Sequence, residues 1–341
     1  MISVTSAAAE TRGFAISRFI TAAYAETDNC PGGGNGGATT IRTRILLGMG
    51  YSEEEAARIL ADNSNELAQT FNLQMRGRRN GEPADVAIFP TSVPDPGIEL
   101  AGGRYAYGFN LNDKAEPGSF EDPESGELGV DNSLWRAVGC FEVFRVRVPT
   151  VPYTELNDAI IDSMPAWLIS ISGEDLDKDG DVTVTFDRAL NILMRDAQGG
   201  ILRGASYTID PDPRSHNVFR GRIRDGWLTI EPGDLFLLGE SPFLAVLRFT
   251  RTHLRLRLEP DGALRGIIGG YQPFVDMHHY MSMYVDGSFV NLPGVYYAMK
   301  RLAEAEPDPR TGENTAISAA HYLEAVPAHL VGVEDVARQQ R

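Results

Sequence analysis

Between residues 167 and 268 the chain repeats one short unit, an alternation of apolar and polar residues followed by a turn signal, at intervals of roughly ten residues. The alternating stretches cover 167–171, 205–209, 218–223, 227–230, 235–238, 243–249, 252–258 and 264–268. Asp225-Gly226 and Asp261-Gly262 supply the positive φ that tight hairpin turns require. Strands of this pattern bury one face each, and hairpin links make them antiparallel. The fold class expected is therefore mainly β (α+β), an antiparallel β-sandwich or barrel, with a helical N-terminal extension and a packed C-terminal helix.

Helical signals lie outside this block. Ser52 with Glu55 forms a capping box, Ala56, Ile59 and Leu60 share a face, and Leu67, Phe71 and Leu73 suggest a second short helix. Pro293 opens a stretch in which Val295, Tyr296, Met299 and Leu302 recur at helical spacing, which predicts a helix packed on the sheet. Four regions are expected: 1–40 as a degenerate signal and Gly-rich linker, 41–150 as a mixed helical and irregular region, 151–333 as the β-rich domain, and 334–341 as a tail. Within the first, Arg12 and Arg18 precede a short apolar run at 19–25 ending in an A-x-A pattern. That run fits either a flawed leader or an amphipathic helix. Gly32, Gly34 and Gly37 satisfy G-x-G-x-x-G, but Asp28, Asn29, Cys30 and Pro31 precede them where a dinucleotide fingerprint needs a strand.

One loop carries a chemical expectation. Asp175, Asp177 and Asp179 alternate before Gly180, with Asp181 and Thr183 next at the spacing of a calcium loop. A hard cation takes about six to eight oxygens, and alternating carboxylates on a curled backbone can point inward together. Phe186 stands where an EF-hand places its bidentate Glu, and Val182, Val184 and Phe186 alternate as a strand. The segment is thus a calcium loop between strands or a solvated Asp/Gly turn.

The 341 residues include 47 acids against 31 bases, a formal charge of −16. Such a surface repels phosphate backbones and anionic membranes, and no apolar run reaches the roughly 18 residues of a spanning helix; nucleic acid and a membrane span are not expected. Against that background two stretches are cationic: Arg220, Arg222 and Arg224 share one side of a strand, as do Arg251, His253, Arg255 and Arg257 of another. They form either an anion site built from guanidinium forks or rungs of cross-strand ion pairs. Asp276, His278 and His279 are the candidates for acid–base chemistry, although no nucleophile motif accompanies them. The two cysteines, Cys30 and Cys140, lie outside any metal spacing; they either pair in an exported protein or stay as two buried thiols.

The segments GVDNSLWRAVGC, FRGRIRDGWLTIEPGD, LRLRLEPDGALRGIIGGYQP and LPGVYYAMKRLAEAEPDPRTGENTAIS resemble those of a group of uncharacterised bacterial secreted or periplasmic proteins. The resemblance implies export and a Cys30–Cys140 disulfide, and it implies no reaction. The expectation is an exported, calcium-stabilised, non-catalytic protein that binds a partner protein or a small anionic ligand at the cell envelope, in the periplasm or outside. Two alternatives stand beside it: a hydrolase acting on an anionic substrate with an Asp/His pair, and a structural subunit of an envelope or electron-transfer assembly.

Overall fold

The computed structural model of the chain describes residues 10–26, 28–61, 76–145, 161–239, 244, 246–284 and 290–332. In chain order the strands are β1 (Glu10–Thr21), β2 (Arg76–Arg79), β3 (Glu82–Asp85), β4 (Phe120–Glu121), β5 (Leu128–Val130), β6 (Pro165–Gly173), β7 (Gly180–Ile192), β8 (Ala205–Thr208), β9 (Asn217–Arg224), β10 (Trp227–Ile230), β11 (Gly233–Leu238), β12 (Val246–Leu258), β13 (Leu264–Pro273), β14 (Ala305–Pro307) and β15 (Asn314–Val331). The chain divides into two units, one drawn from 1–22, 155–270 and 320–341, the other from 23–154 and 271–319. Described residues near both the start and the close of the chain, 10–22 and 320–332, therefore fall in the unit that carries the hairpin series.

The first unit is a closed antiparallel barrel of eight strands, not a sandwich. The ring runs β1, β6, β7, β9, β10, β12, β13, β15 and back to β1. β11 adds to β12, and β8 pairs in parallel with the end of β15. Closure rests on β1 against β15, from Gly13↔Ala328 to Thr21↔His321. The apolar run at 19–25 that reads as a leader thus begins inside a barrel strand. A register shift between Ile16 and Arg18 hides it from a period-two reading: Phe14 and Ile16 are buried, Arg18 turns out to meet Glu324, and Phe19 is buried again.

Residues directly opposite in antiparallel strands share a face, so the register defines the interior. Phe14, Ile169 and Phe186 form one row; Ile171, Val184 and Phe219 form the next; Ile223, Leu228 and Leu256 form another. All nine are buried. At one end Phe19 meets Trp167 edge-on at 5.5 Å and stacks on His321 at 4.8 Å, while Phe249 meets the same histidine at 5.6 Å. Eight strands enclose a space that side chains just fill or that holds one small ligand. Gly221 lies between Val182 and Ile230 in an interior row, where a Cβ would come within 2.8 Å of the Thr229 carbonyl oxygen, so the backbone approach at this bend admits no side chain.

Expected strands 243–249 and 252–258 are one strand where described, β12, with Arg251 at φ +49° between its two halves. Leu247 and Phe249 are buried before that point and Thr252, Leu254 and Leu256 after it, so the irregularity shifts the alternation by one residue.

In the second unit, Ser52 and Glu55 make the expected capping box, with the Glu55 amide donating to Ser52 Oγ at 3.2 Å and the Ser52 amide to Glu55 Oε2 at 2.8 Å. Leu67, Phe71 and Leu73 lie outside the described residues. The helix Leu292–Leu302 starts at Asn291, whose side chain accepts from the Gly294 amide, and Pro293 occupies the first turn as expected. It packs against the helices Ser133–Val138 and Phe274–Tyr284.

The Gly-rich stretch is a nest rather than a linker. The Gly32 and Gly34 amides donate to the two carboxylate oxygens of Glu99 at 2.5 and 2.8 Å, and the Asn35 side chain bonds both the Glu99 amide and its carbonyl. Backbone amides converging in this way bind anions, here those of Gly32 and Gly34, while the Gly33 amide between them donates to the Cys30 carbonyl. An internal carboxylate occupies the place that a phosphate would take.

Cys30 and Cys140 form a disulfide across a separation of 110 residues, as the resemblance implied. In the chain-entropy account, closing a loop of that length stabilises by about 4–5 kcal/mol. The double variant Cys30→Ser/Cys140→Ser is expected to lower the urea midpoint of the second unit, and dithiothreitol should lower the wild-type midpoint to the same value. An unchanged midpoint in reductant would show that the bridge adds nothing to stability.

Candidate functional site

The cationic stretches come together on the outside of the barrel. β9 and β12 both flank β10, so the two arginine strips run about 10 Å apart with one strand between them. Arg222, Thr229 and Arg255 align in one row, and Arg224, Trp227 and Arg257 in the next. Arg257 places its guanidinium over the Trp227 ring at 5.7 Å. In the opposite direction the row of Arg220 continues through Thr183 to Ser172 and Thr11, the last two with hydroxyls 2.8 Å apart. Arg251 sits apart from these rows, at the irregularity of β12.

Part of this face is a depression of about 760 Å³, lined among others by Ser172, Asp181, Thr183, Arg220, Arg222 and Glu231. Arg222 donates through Nε and Nη2 to Asp181 Oδ1 at 2.8 and 2.6 Å. That pair is one rung of the ion-pair ladder which the sequence left open, and it is well exposed, so it contributes of order 0–1 kcal/mol. Arg220 has no side-chain ion pair among the described residues.

Each aspartate of the acidic loop has a protein partner of its own. Asp175 accepts from the Lys178 ammonium at 2.5 Å and from the Asp177 amide at 3.1 Å, which together hold its carboxyl below the usual range. Asp177 meets Arg12 at 3.0 Å, Asp179 accepts from the Asp225 amide at 2.8 Å, and Asp181 is committed to Arg222. The four aspartates thus turn to four separate partners. Among the described residues no three acid, histidine or cysteine side chains converge on a point that could hold a metal. Thr183 projects onto the outer face beside Arg220 and away from the loop.

The expected acid–base residues are separated by their helix. Along Phe274–Tyr284, Asp276 and His279 are exposed while His278 is buried, with its ring edge-on to Tyr296 at 5.3 Å. Residues two apart on a helix face different ways. Burial lowers the His278 pKa to about 4, a value suited to a neutral packed ring. None of the three residues lines the depression on the arginine face.

The barrel contains another Asp–His pair that no spacing rule reveals. Asp187 Oδ1 lies 2.7 Å from His216 Nδ1; the carboxylate is buried, and the imidazole is 55% exposed. Burial raises the Asp187 pKa, and the bond to His216 partly offsets the shift. The pair is built by local structure. Asp212 accepts from the Arg214 amide to start the turn Pro213–Ser215, and the Asn217 side-chain amide donates to the Phe236 carbonyl at 3.0 Å, so His216 is delivered beside β7. Beneath it Arg188 donates to Asp210 at 2.9 Å in a fully buried ion pair, which fixes the incoming segment against β7. His216 precedes Val218, Arg220 and Arg222 at two-residue steps along β9, so it faces outward with the arginine rows.

No family model, curated protein or solved structure matches the chain. No helix among the described residues is long and apolar enough to cross a membrane.

The buried histidines set an acid limit. His278 at about 4 and His321 at about 3 are both held below the ordinary value near 6.5 by burial. Both stay neutral when folded and bind a proton when unfolded, so their contribution is present above pH 6.5 and is lost as the pH falls through 4 and 3. The two histidines together favour uptake of about two protons on unfolding between pH 4 and 6.5, Asp131, raised to about 6 by burial, opposes them with release of about one below pH 6, and His278→Phe should reduce the net uptake by about one. A slope that the variant leaves unchanged would show that His278 is not buried neutral.

Proposed function

We propose that the chain is an exported, non-catalytic binding protein whose ligand is anionic, and that an acidic glycan lies across the outer face of β9, β10 and β12. One observation carries the reading: on a chain of net charge −16, Arg220, Arg222, Arg224, Arg255 and Arg257 occupy three adjacent rows of one face, around Thr229 and Trp227. Planar guanidinium forks match carboxylate or sulfate oxygens two at a time, the Trp227 ring offers an apolar platform for a sugar, and the hydroxyls of Ser172 and Thr183 extend the surface. The disulfide suits the oxidising setting in which export would place the protein.

Calorimetric titration with an oligogalacturonate and with a neutral oligosaccharide of equal length tests this. The acidic chain alone should bind, more weakly as salt rises, and Arg220→Ala and Arg222→Ala should each weaken it about fivefold, the equivalent of roughly 1 kcal/mol per charge-assisted contact. Equal binding of both sugars, or binding of neither, would overturn the reading.

A second reading rests on Asp187 and His216. A buried carboxylate that holds an exposed imidazole by Nδ1 leaves Nε2 free to act as a base, and His216 immediately precedes the strand that carries Arg220 and Arg222, with Asp187 on the neighbouring β7. A hydrolase of an anionic substrate would use the arginines to position it and His216 to activate water. If so, His216→Gln should abolish turnover of an acidic oligosaccharide while leaving its binding within about twofold; absence of turnover in the wild type leaves the binding reading alone.

A further inference from the structure

The end of the barrel opposite the Phe19–Trp167–Phe249 cluster is not filled. A cavity of about 150 Å³ lies there, walled by Phe14, Ile171, Ile223, Leu228, Leu258 and Leu264. Leu176, 3% exposed, reaches into it from the acidic loop. Arg12, Asp177, Lys178 and Asp179 complete the lining; the side chains of Asp177 and Lys178 are mostly exposed, whereas Arg12 stands opposite Ile171.

The loop is fastened over the opening at three points. The Leu176 amide donates to Glu10 Oε2 at 3.0 Å, Arg12 meets Asp177 at 3.0 Å, and the Asp225 amide donates to Asp179 at 2.8 Å. Arg12 and Glu10 belong to β1, and Asp225 to the β9–β10 turn, so the loop is tied to two sides of the rim. The aspartates whose spacing suggests a cation site thereby act as a cover.

We propose that this capped end is a binding site for a compact, uncharged apolar molecule of about the size of one six-membered ring. An apolar space without polar partners does not hold water well, and its walls lack dispersion contacts that a solute would restore. A dry cavity of about this size, lined by Leu, Ile and Phe, holds benzene. Of the barrel-strand residues that line it, only Arg12 carries a hydrogen-bonding side chain, and that is already engaged by Glu10 and Asp177, so a charged ligand would gain little there. The site is distinct from the outer arginine face and does not depend on what that face binds.

The probes are benzene and toluene, each titrated into the full chain while its melting temperature is monitored. A ligand that binds only the folded state must raise it, by about 3–6 °C at tenfold excess over Kd. Ile171→Phe and Leu228→Phe each fill the space from a different wall, and both should melt at or above the wild-type temperature and lose the arene response. Xenon in pressurised crystals should appear among Phe14, Ile171 and Leu228. The proposal is overturned if neither arene shifts the wild type, if either folded variant retains the shift, or if xenon enters elsewhere and leaves this space empty.

Discussion

Everything in the barrel depends on the pairing of β1 with β15. Eight strands with a free edge on either side would leave two rows of unpaired amides and carbonyls, and such edges recruit other chains. Joining residues 13–21 to residues 321–328 removes both edges at once. The cost is chain entropy, because the contact links positions separated by most of the sequence. The gain is a defined interior: once the ring closes at eight strands its width is set, and whatever side chains face inward must fill it or leave a gap. Phe19, Trp167, Phe249 and His321 fill one end, and smaller residues leave the other hollow beneath the acidic loop.

The same closure organises charge. Inward positions take the apolar residues of each alternation, so the polar ones are forced onto one continuous outer surface. Strand order, and not sequence order, then decides which polar residues meet. β10 lies between β9 and β12, and for this reason two arginine strips some 30 residues apart become one cationic face on an acidic chain. The aspartates before β7 are drawn the other way, each toward a guanidinium, an ammonium or an amide. Charge that is locally dense in the sequence is neutralised in space by residues from β1, β9 and the turn after it.

How much was legible depends on whether the signal is local. The start of β7 and all of β9 and β10 show clean alternation, and the Asp-Gly turns announce their hairpins, so these elements are readable to within a few residues. β1 is not, because the register shift near Ser17 breaks its period and because Ala15 and Ile20 are buried along with the inward residues, so the strand resembles a short apolar run. β12 read as two strands for a related reason, the left-handed Arg251. The candidate site was half legible. Arg220, Arg222, Arg224, Arg255 and Arg257 stood out as strips, but that they share a face could not be known. Asp276 and His278 drew notice by proximity in sequence, which a helix undoes, while Asp187 and His216, 29 residues apart, carry no motif at all.

The sequence by itself determined the features set by neighbours a few residues apart: the strands that alternate, the hairpins that turn at Asp-Gly, the capping of helices by Ser52 and Asn291, and the acidic overall charge. Tertiary structure alone decided the rest. It chose a closed barrel over a sandwich, seated Glu99 in the glycine nest, buried His278, paired Asp187 with His216 and folded the aspartate loop over a hollow barrel end. The physical reason is the same in each case. Period, turn and cap are set by torsions and hydrogen bonds within one or two turns of chain, whereas closure, burial and ion pairing are set by which distant surfaces exclude water from each other.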